Sequence, residues 1–207
     1  MNKTVLAHFS RVDPTLSLLY TNVSLTDLVP RKPRQFFESL CNEIISQQLS
    51  GRVAAVIEKR FKKLFTGSIT PQKVAAISEV ELRATGMSWS KARFIKDLAH
   101  KVLHKEVSLS HLETLDDAKV IAELTKVKGI GPWTAEMFLM FTLGREDIFS
   151  FGDLGLKRAI QKAYRMKKEP SLLQMKRLSK KWKPYRTIAA RVLWKSLETS
   201  VSSASPK

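Results

Sequence analysis

The feature that most constrains the fold is a short glycine turn between two helical patterns, Val127-Lys128-Gly129-Ile130-Gly131-Pro132-Trp133. Gly129 and Gly131 allow the backbone to take positive φ and to come close to another chain. Pro132 suits the first position of a following helix, because its missing N–H would have no helical partner there. The N–H groups from Ile130 to Thr134 are then expected to face outward, where an anion is the natural partner. The sequence therefore predicts a helical hairpin whose turn binds an anion, and the alternative is an αα-turn with a structural role alone.

The charge of the chain suggests which anion that is. Its 207 residues include 36 Lys and Arg against 19 Asp and Glu, a formal net charge of +17. This excess favours a polyanionic partner, and a nucleic acid is a better candidate than a membrane surface. Basic residues are densest from 157 to 186, with twelve Lys or Arg and one acid, Glu169. Charge alone would also fit a basic protein of another kind.

Composition excludes several other classes. Cys41 is the sole cysteine, which rules out an internal disulfide framework and a cysteine-rich metal cluster. His100 and His104 are four residues apart but lack a carboxylate in the spacing of a helical zinc site. The N-terminus has no secretory h-region, and no apolar run approaches the roughly 18 residues of a membrane span. We therefore expect an intracellular protein, in the bacterial or archaeal cytoplasm or the eukaryotic nucleus, with no membrane partner.

Helical periodicity recurs along the chain, and no convincing strand alternation is found, so we predict an all-α fold of about ten short helices. The predicted helices cover 2–12, 14–21, 36–48, 52–65, 71–77, a short segment after the Ser78/Glu81 capping box, about 90–104, 117–125, 132–143, 154–165, 171–181 and 184–199. They are grouped into two helical lobes. One lobe is about 36–145 and contains the hairpin at about 117–143. The other combines 1–35 with 146–199, and 200–207 are predicted to be a disordered tail.

Four groups of residues together resemble one known family. They are Val127–Ala135 with Phe151-Gly152-Asp153-Leu154-Gly155-Leu156, Cys41–Ser50, Gly86-Met87-Ser88 with Lys91-Ala92, and Trp182-Lys183-Pro184-Tyr185-Arg186 with Ala189 and Trp194. In their order along the chain, over about 36–195, they are similar to the helix-hairpin-helix/Gly-Pro-Asp superfamily of DNA glycosylases. The particular resemblance is to the DNA-3-methyladenine glycosylase II branch, in a short form without that branch's N-terminal β domain. The resemblance implies a two-lobed helical fold with an interlobe active-site cleft.

Asp153 matches the family's catalytic aspartate. It opens the predicted helix 154–165, where an aspartate is also a common N-cap, so the residue alone leaves both roles open. Cleavage of an N-glycosidic bond develops positive charge on the deoxyribose. A fixed carboxylate facing C1′ stabilises that charge and can orient or deprotonate the attacking water. An alkylated purine already carries a positive charge and leaves neutral, so one essential carboxylate suffices.

The resemblance also implies a base pocket. Trp133 and Trp194 match aromatic positions of that pocket, and an indole face favours a cationic base. Core packing is the alternative for each tryptophan. Met137 and Leu154 occupy positions where related enzymes have tyrosine, which implies a looser pocket and leaves the lesion range open. Members that form a Schiff base carry lysine at the position of Trp133, so we expect a monofunctional enzyme with no lyase activity.

Glycosylases are among the enzymes that flip their target base out of the duplex, and a side chain has to fill the gap. Gln48 best matches the family's intercalating position, and Leu49 is the alternative. A polar helix end at Gln47–Ser50 would explain the same residues without any DNA contact. The sequence thus predicts a wedge at Gln48 or Leu49.

The resemblance implies base excision repair, with double-stranded DNA containing alkylated bases as partner and 3-methyladenine and 7-methylguanine as released bases. The residues expected to contact the DNA backbone are Lys126, Lys128, Gly129, Ile130, Gly131 and Thr134. No cofactor is required, although a monovalent cation could bind the main-chain carbonyls of Thr125, Val127 and Ile130. We expect a monomer. The alternatives are a non-catalytic module that binds damaged DNA, and a glycosylase for deaminated or ethenoadduct bases.

Overall fold

The computed structural model describes the backbone of residues 1–202 and the side chains of residues 1–198. Within that range the chain is all-α, as predicted, and contains no β-strand. The helices are α1 Lys3–Val12, α2 Pro14–Asn22, α3 Phe36–Ser46, α4 Gly51–Lys62, α5 Pro71–Ala76, α6 Glu79–Ala84, α7 Trp89–Leu103, α8 Asp117–Leu124, α9 Pro132–Met137, α10 Leu154–Ala163, α11 Leu172–Lys181 and α12 Arg186–Ser202. A 3₁₀ turn covers Pro33–Gln35, and a π-helical turn covers Phe138–Thr142. Among these described helices, none has the length and apolarity needed to cross a bilayer.

Helix starts follow local capping chemistry. Ser78 and Glu81 form the predicted capping box at the start of α6, and Ser88 caps α7 by accepting a hydrogen bond from the Lys91 N–H. Helix ends were harder to predict. The predicted helix 36–48 stops at Ser46, and the predicted helix 132–143 changes to π-helical hydrogen bonding after Met137.

The predicted disordered tail, 200–207, falls largely outside the described residues. Its first three residues continue the backbone of α12.

The chain divides into two compact units. The hairpin unit is Val29–Gly144, and its buried core includes Phe36, Ile44 and Phe138. The connector 29–35, which we had grouped with the N-terminal segment, belongs to this unit. The Arg31 N–H donates to the Thr142 carbonyl at 2.8 Å, so the connector is fastened to the end of the π-helical turn.

The aspartate unit comprises Met1–Leu28 and the described part of Arg145–Lys207. Helix α12 packs against both α2 and α10, and Trp182 is completely buried. The start of α12 also holds the segment that leads to Asp153. Arg186 donates to both carboxylate oxygens of Asp147 at 2.6 and 3.0 Å, and the Thr187 hydroxyl donates to the Arg145 carbonyl. These contacts fix the position of the chain a few residues before Asp153.

Candidate active site and nucleic-acid interface

The predicted hairpin connects α8 to α9. Leu124, Val127 and Ile130 are buried and form its apolar clasp. Gly129 has a φ of +82°, and a Cβ built there would lie 2.1 Å from the ring of Phe94 on α7. The position therefore requires glycine both for its backbone conformation and for its close approach to α7.

One expectation about the hairpin's N–H groups is wrong. The Ile130 N–H does not face outward, because it donates to the Val127 carbonyl at 3.1 Å and closes the turn. The Lys128 N–H is also engaged, at 2.8 Å from Oδ2 of Asp97. The expected main-chain contact with an anion is therefore left to the start of α9, where Gly131 is the N-cap.

The side chains predicted to contact the DNA backbone differ in their surroundings. Lys128 is exposed on the hairpin turn. Lys126 is half exposed, and its ammonium pairs with Glu123 at 2.5 Å. Thr134 is buried, and its hydroxyl accepts a hydrogen bond from Nε2 of Gln47 at 3.0 Å. Lys128 is thus the better placed of the two lysines for a phosphate, and the Thr134 side chain serves the fold.

The predicted wedge forms a tight turn after α3. Gln47 has φ −48° and ψ 130°, Gln48 has φ +56°, and the Leu49 N–H donates to the Ser46 carbonyl at 3.1 Å. These values define a type II β-turn with Gln48 at the position that usually requires glycine. Gln48 is exposed, whereas Leu49 is half-buried. A non-glycine residue held at positive φ costs on the order of 1 kcal/mol and often marks a functional segment.

Asp153 is the N-cap of α10, so the local interpretation of this residue is confirmed. Its Oδ1 accepts the Leu156 N–H at 2.6 Å and the indole N–H of Trp194 at 3.0 Å. The carboxylate is 8% exposed. A Cβ at Gly155 would lie 3.0 Å from Oδ1 and 3.2 Å from the Trp194 ring, so glycine there leaves room for the contact. Both of these donors approach the same oxygen, and they fix the orientation of the carboxylate.

The predicted pocket residues belong to both units. Trp133, 38% exposed, and Met137, which is buried, lie on α9 of the hairpin unit. Leu154, 61% exposed, and Trp194, half-buried, belong to the aspartate unit. The structure brings Trp194 into direct contact with Asp153, a pairing that the sequence did not predict.

Sequence reasoning missed the role of α7. Lys91, Phe94, Asp97 and Lys101 recur at helical spacing, and each contacts either the wedge turn or the hairpin. The spacing of three, three and four residues was visible in the sequence, but the partners were not.

Burial also raises the pKa of Glu43 on α3 to about 7, and the negative charge of Glu58 contributes to that shift.

The three carbonyls named for a cation have a suitable chemistry for a weakly held monovalent ion. All are neutral oxygens, and the Val127 carbonyl already accepts the Ile130 N–H. The Lys101 ammonium donates to the adjacent Lys126 carbonyl, which places a positive charge beside the same turn. Among the described residues, no group of three or more His, Cys, Asp or Glu could hold a metal. The donor set therefore fits a monovalent ion better than a divalent one.

Comparison with known proteins identifies the family. Residues 41–184 match the model of the HhH-GPD superfamily of base excision DNA repair proteins. The chain belongs to this superfamily. The match includes the wedge turn, the hairpin and Asp153.

Individual relatives extend the match to nearly the whole chain. The alkylbase DNA glycosidase-like protein mag2 of Schizosaccharomyces pombe is 31% identical, covering 90% of each chain. The structure of the S. pombe 3-methyladenine DNA glycosylase Mag1 in complex with abasic DNA superimposes with a TM-score of 0.84 at 29% identity, covering 95% of this chain and 97% of that one. The DNA-3-methyladenine glycosidase of Bacillus halodurans superimposes with a TM-score of 0.79 at 34% identity, covering 97% and 92%.

Proposed function

We infer that this protein is a monofunctional DNA glycosylase of base excision repair, which flips alkylated purines out of duplex DNA and releases them hydrolytically. The products are a free base and an abasic site. The observation that carries the inference is the Asp153 carboxylate, which two donors orient through Oδ1 in a chain of the HhH-GPD superfamily. The printed names of the relatives, which are alkylbase and 3-methyladenine glycosylases, support the substrate class.

Asp153 has one proposed role with two parts. As the bond from C1′ to the base lengthens, the deoxyribose becomes positively charged, and the carboxylate stabilises that charge. The same group orients the water that attacks C1′ and accepts its proton. The base leaves with the bonding electrons and becomes neutral, because alkylation at N3 or N7 had made it cationic. No general acid is needed for such a leaving group.

The partner we propose is double-stranded DNA containing alkylated bases. The Mag1 structure contains abasic DNA, and this chain covers 97% of that protein at a TM-score of 0.84. The start of α9, with Gly131, and the exposed Lys128 are the proposed phosphate contacts, together with basic residues between 157 and 186. Because such contacts release counterions, binding should weaken steeply with salt. We further propose that the protein acts as an intracellular monomer.

The proposed chemistry requires no cofactor. A monovalent cation on the carbonyls of Thr125, Val127 and Ile130 would add positive charge for a DNA phosphate. It would take no part in the cleavage itself.

Trp133 supports the absence of lyase activity, because a Schiff base requires an amine and an indole provides none. Borohydride should therefore trap no covalent complex between the enzyme and abasic DNA. The residues Met137 and Leu154, at positions where related enzymes have tyrosine, favour a second candidate within the same class: a glycosylase for deaminated or ethenoadduct bases.

Single-turnover release from a panel of duplexes tests both proposals. The panel contains 3-methyladenine, 7-methylguanine, hypoxanthine and 1,N⁶-ethenoadenine, each assayed with the wild-type protein and Asp153→Asn. Release of the methylated purines by the wild-type protein, but not by Asp153→Asn, would support the first proposal. Release of only the other two bases would favour the second. Binding without release of any base would instead identify a non-catalytic module for damaged DNA.

A further inference from the structure

The turn that carries Gln48 is held from two sides within the hairpin unit. We propose that Lys91 and Gln47 are positioning residues for base flipping, which fix the conformation of this turn and its distance from the hairpin. The proposal rests on the proposed function, because it assigns Gln48 as the side chain that enters the duplex. Neither Lys91 nor Gln47 needs to touch DNA for this purpose.

Lys91 controls the conformation of the turn. Its ammonium donates to the Ile45 carbonyl at 2.8 Å and to the Gln47 carbonyl at 2.6 Å. Type I and type II turns differ by a rotation of their central peptide, which here joins Gln47 to Gln48. A bond to the Gln47 carbonyl holds that peptide in the type II orientation and hence keeps Gln48 at positive φ. Without Lys91, a non-glycine Gln48 would favour the type I turn, and its side chain would project in another direction.

Gln47 controls the distance from the turn to the hairpin. Its side-chain amide donates to the Gly129 carbonyl at 2.8 Å and to the Thr134 hydroxyl at 3.0 Å. The two adjacent glutamines therefore have different tasks. Gln47 binds the hairpin, and Gln48 is presented at the exposed tip.

Helix α7 connects the same two parts along one face. Beyond Lys91, Phe94 packs against Gly129, Asp97 accepts the Lys128 N–H, and Lys101 donates to the Lys126 carbonyl. A DNA strand whose phosphates bind the hairpin would consequently meet the tip of the turn at a fixed separation. When the hairpin binds the DNA backbone, this arrangement therefore places Gln48 where it can enter the duplex.

The same helix offers a matched control. Lys96, also on α7, donates to the carbonyls of Ala75 and Ile77 at 2.6 and 2.7 Å and to that of Val74 at 3.4 Å, at the end of α5. Lys91→Met and Lys96→Met each remove a lysine whose ammonium binds carbonyls at a helix end. Only the first affects the turn.

The experiment measures flipping and chemistry separately. Flipping is followed by the fluorescence of 2-aminopurine placed beside a non-hydrolysable 2′-fluoro-7-methylguanine nucleotide, and chemistry by single-turnover release of 7-methylguanine. We expect Lys91→Met to reduce both signals about ten- to a hundred-fold, because small misplacements in a reacting complex have effects of that size. Affinity for undamaged duplex should be unchanged. Lys91→Arg should restore part of the loss, since a guanidinium can also donate to two carbonyls.

Gln48→Ala completes the test. If Lys91 acts through Gln48, adding Lys91→Met to Gln48→Ala should cause no further loss of flipping. Equal losses in Lys91→Met and Lys96→Met, or a further loss in the double variant, would overturn the positioning role. A wild-type protein that releases no base would contradict the proposed function instead, and the fluorescence comparison would still decide the role of Lys91.

Discussion

Two aspartates of the aspartate unit occupy nearly the same local environment. Asp13 and Asp153 are both N-caps, and both accept the indole N–H of a tryptophan. Both are also buried, at 4% and 8% exposure. They differ in their place in the chain, because Asp153 lies within residues 41–184, which match the superfamily model, and Asp13 lies outside them.

At Asp13 the structure engages both oxygens. Oδ1 accepts the Leu16 N–H at 3.1 Å, while Oδ2 accepts the Trp182 indole at 2.9 Å and the Tyr164 hydroxyl at 2.6 Å. Burial and the carboxylate together raise the pKa of Tyr164, so its phenol remains a donor. At Asp153 the backbone and indole donors approach the same oxygen. The comparison teaches that capping and indole binding do not by themselves define a catalytic carboxylate, because Asp13, outside the residues that match the superfamily model, has both.

The largest expected effect is on catalysis at Asp153. Asp153→Asn keeps an oxygen for the Leu156 N–H but removes the negative charge that faces the developing cation. We expect single-turnover release of 7-methylguanine to fall by about 100- to 1000-fold or more, the size seen when a key electrostatic group is lost. DNA affinity, measured by fluorescence anisotropy, should change little. Turnover at the wild-type rate would remove Asp153 from the mechanism.

The same substitution at Asp13 should act on stability. Asp13→Asn replaces one acceptor oxygen by a donor amide in a buried site with three donors, which leaves at least one of them unsatisfied. We expect a loss of about 2–3 kcal/mol in the free energy of unfolding, measured by urea denaturation. At a temperature where the variant is folded, its rate of base release should equal that of the wild type. A selective loss of activity in the folded variant would contradict this division of roles.

A third carboxyl group, that of Glu43, makes the stability of the fold depend on pH. The pKa of Glu43 is raised from 4.5 to about 7 by burial and by Glu58. Because the folded protein binds this proton more tightly than the unfolded chain, the associated stability is fully present below pH 4.5 and is lost as the pH rises towards 7. At about 1.4 kcal/mol for each pKa unit, the loss is at most about 3.5 kcal/mol.

Glu43→Gln provides the measurement for that prediction. The variant keeps the shape of the neutral acid, so its free energy of unfolding should fall less than that of the wild type between pH 5 and 7.5. The difference between the two curves isolates Glu43 from every other titrating group. Parallel curves would show that Glu43 ionises normally in the folded protein.

Local features of the fold could be predicted from the sequence, because they depend on neighbouring residues. The capping box at Ser78, the glycine hairpin and the cap at Asp153 all follow from side-chain chemistry within a few positions. The same local reasoning gives no way to separate Asp13, which precedes Pro14, from Asp153. That distinction came from the resemblance over the whole motif, which includes Asp153 and not Asp13.

Features that depend on distant partners could not be predicted. Gln47 reaches Gly129 across 82 positions, and Lys91 reaches Gln47 across 44. The expectation for Ile130 was wrong for a similar reason at shorter range, because its N–H donates to the Val127 carbonyl within the turn itself. Trp194 was predicted to line the base pocket, but its bond to Asp153 depends on the packing of α12 against α10. The functional assignments of these residues stay predictions for the experiments above.

The smallest expected effect concerns Trp194, which donates its indole N–H to Asp153 as Trp182 does to Asp13. Trp194→Phe removes the indole donor to Oδ1 but keeps an aromatic ring, and we expect about a ten-fold slower release of base, equivalent to about 1.4 kcal/mol. Trp182→Phe removes the donor to Asp13 and should lower stability while leaving the rate unchanged in the folded protein.

A comparison of two lesions reveals how Trp194 acts. If its ring face binds the base, the loss in Trp194→Phe should be larger for cationic 7-methylguanine than for a neutral base of the panel that the wild type also releases, because an indole attracts a cation more strongly than a phenyl ring does. If its N–H holds the carboxylate, both lesions should slow by the same factor, since the orientation of Asp153 matters to each. The ratio of the two rates therefore measures whether Trp194 serves base recognition or the positioning of the Asp153 carboxylate.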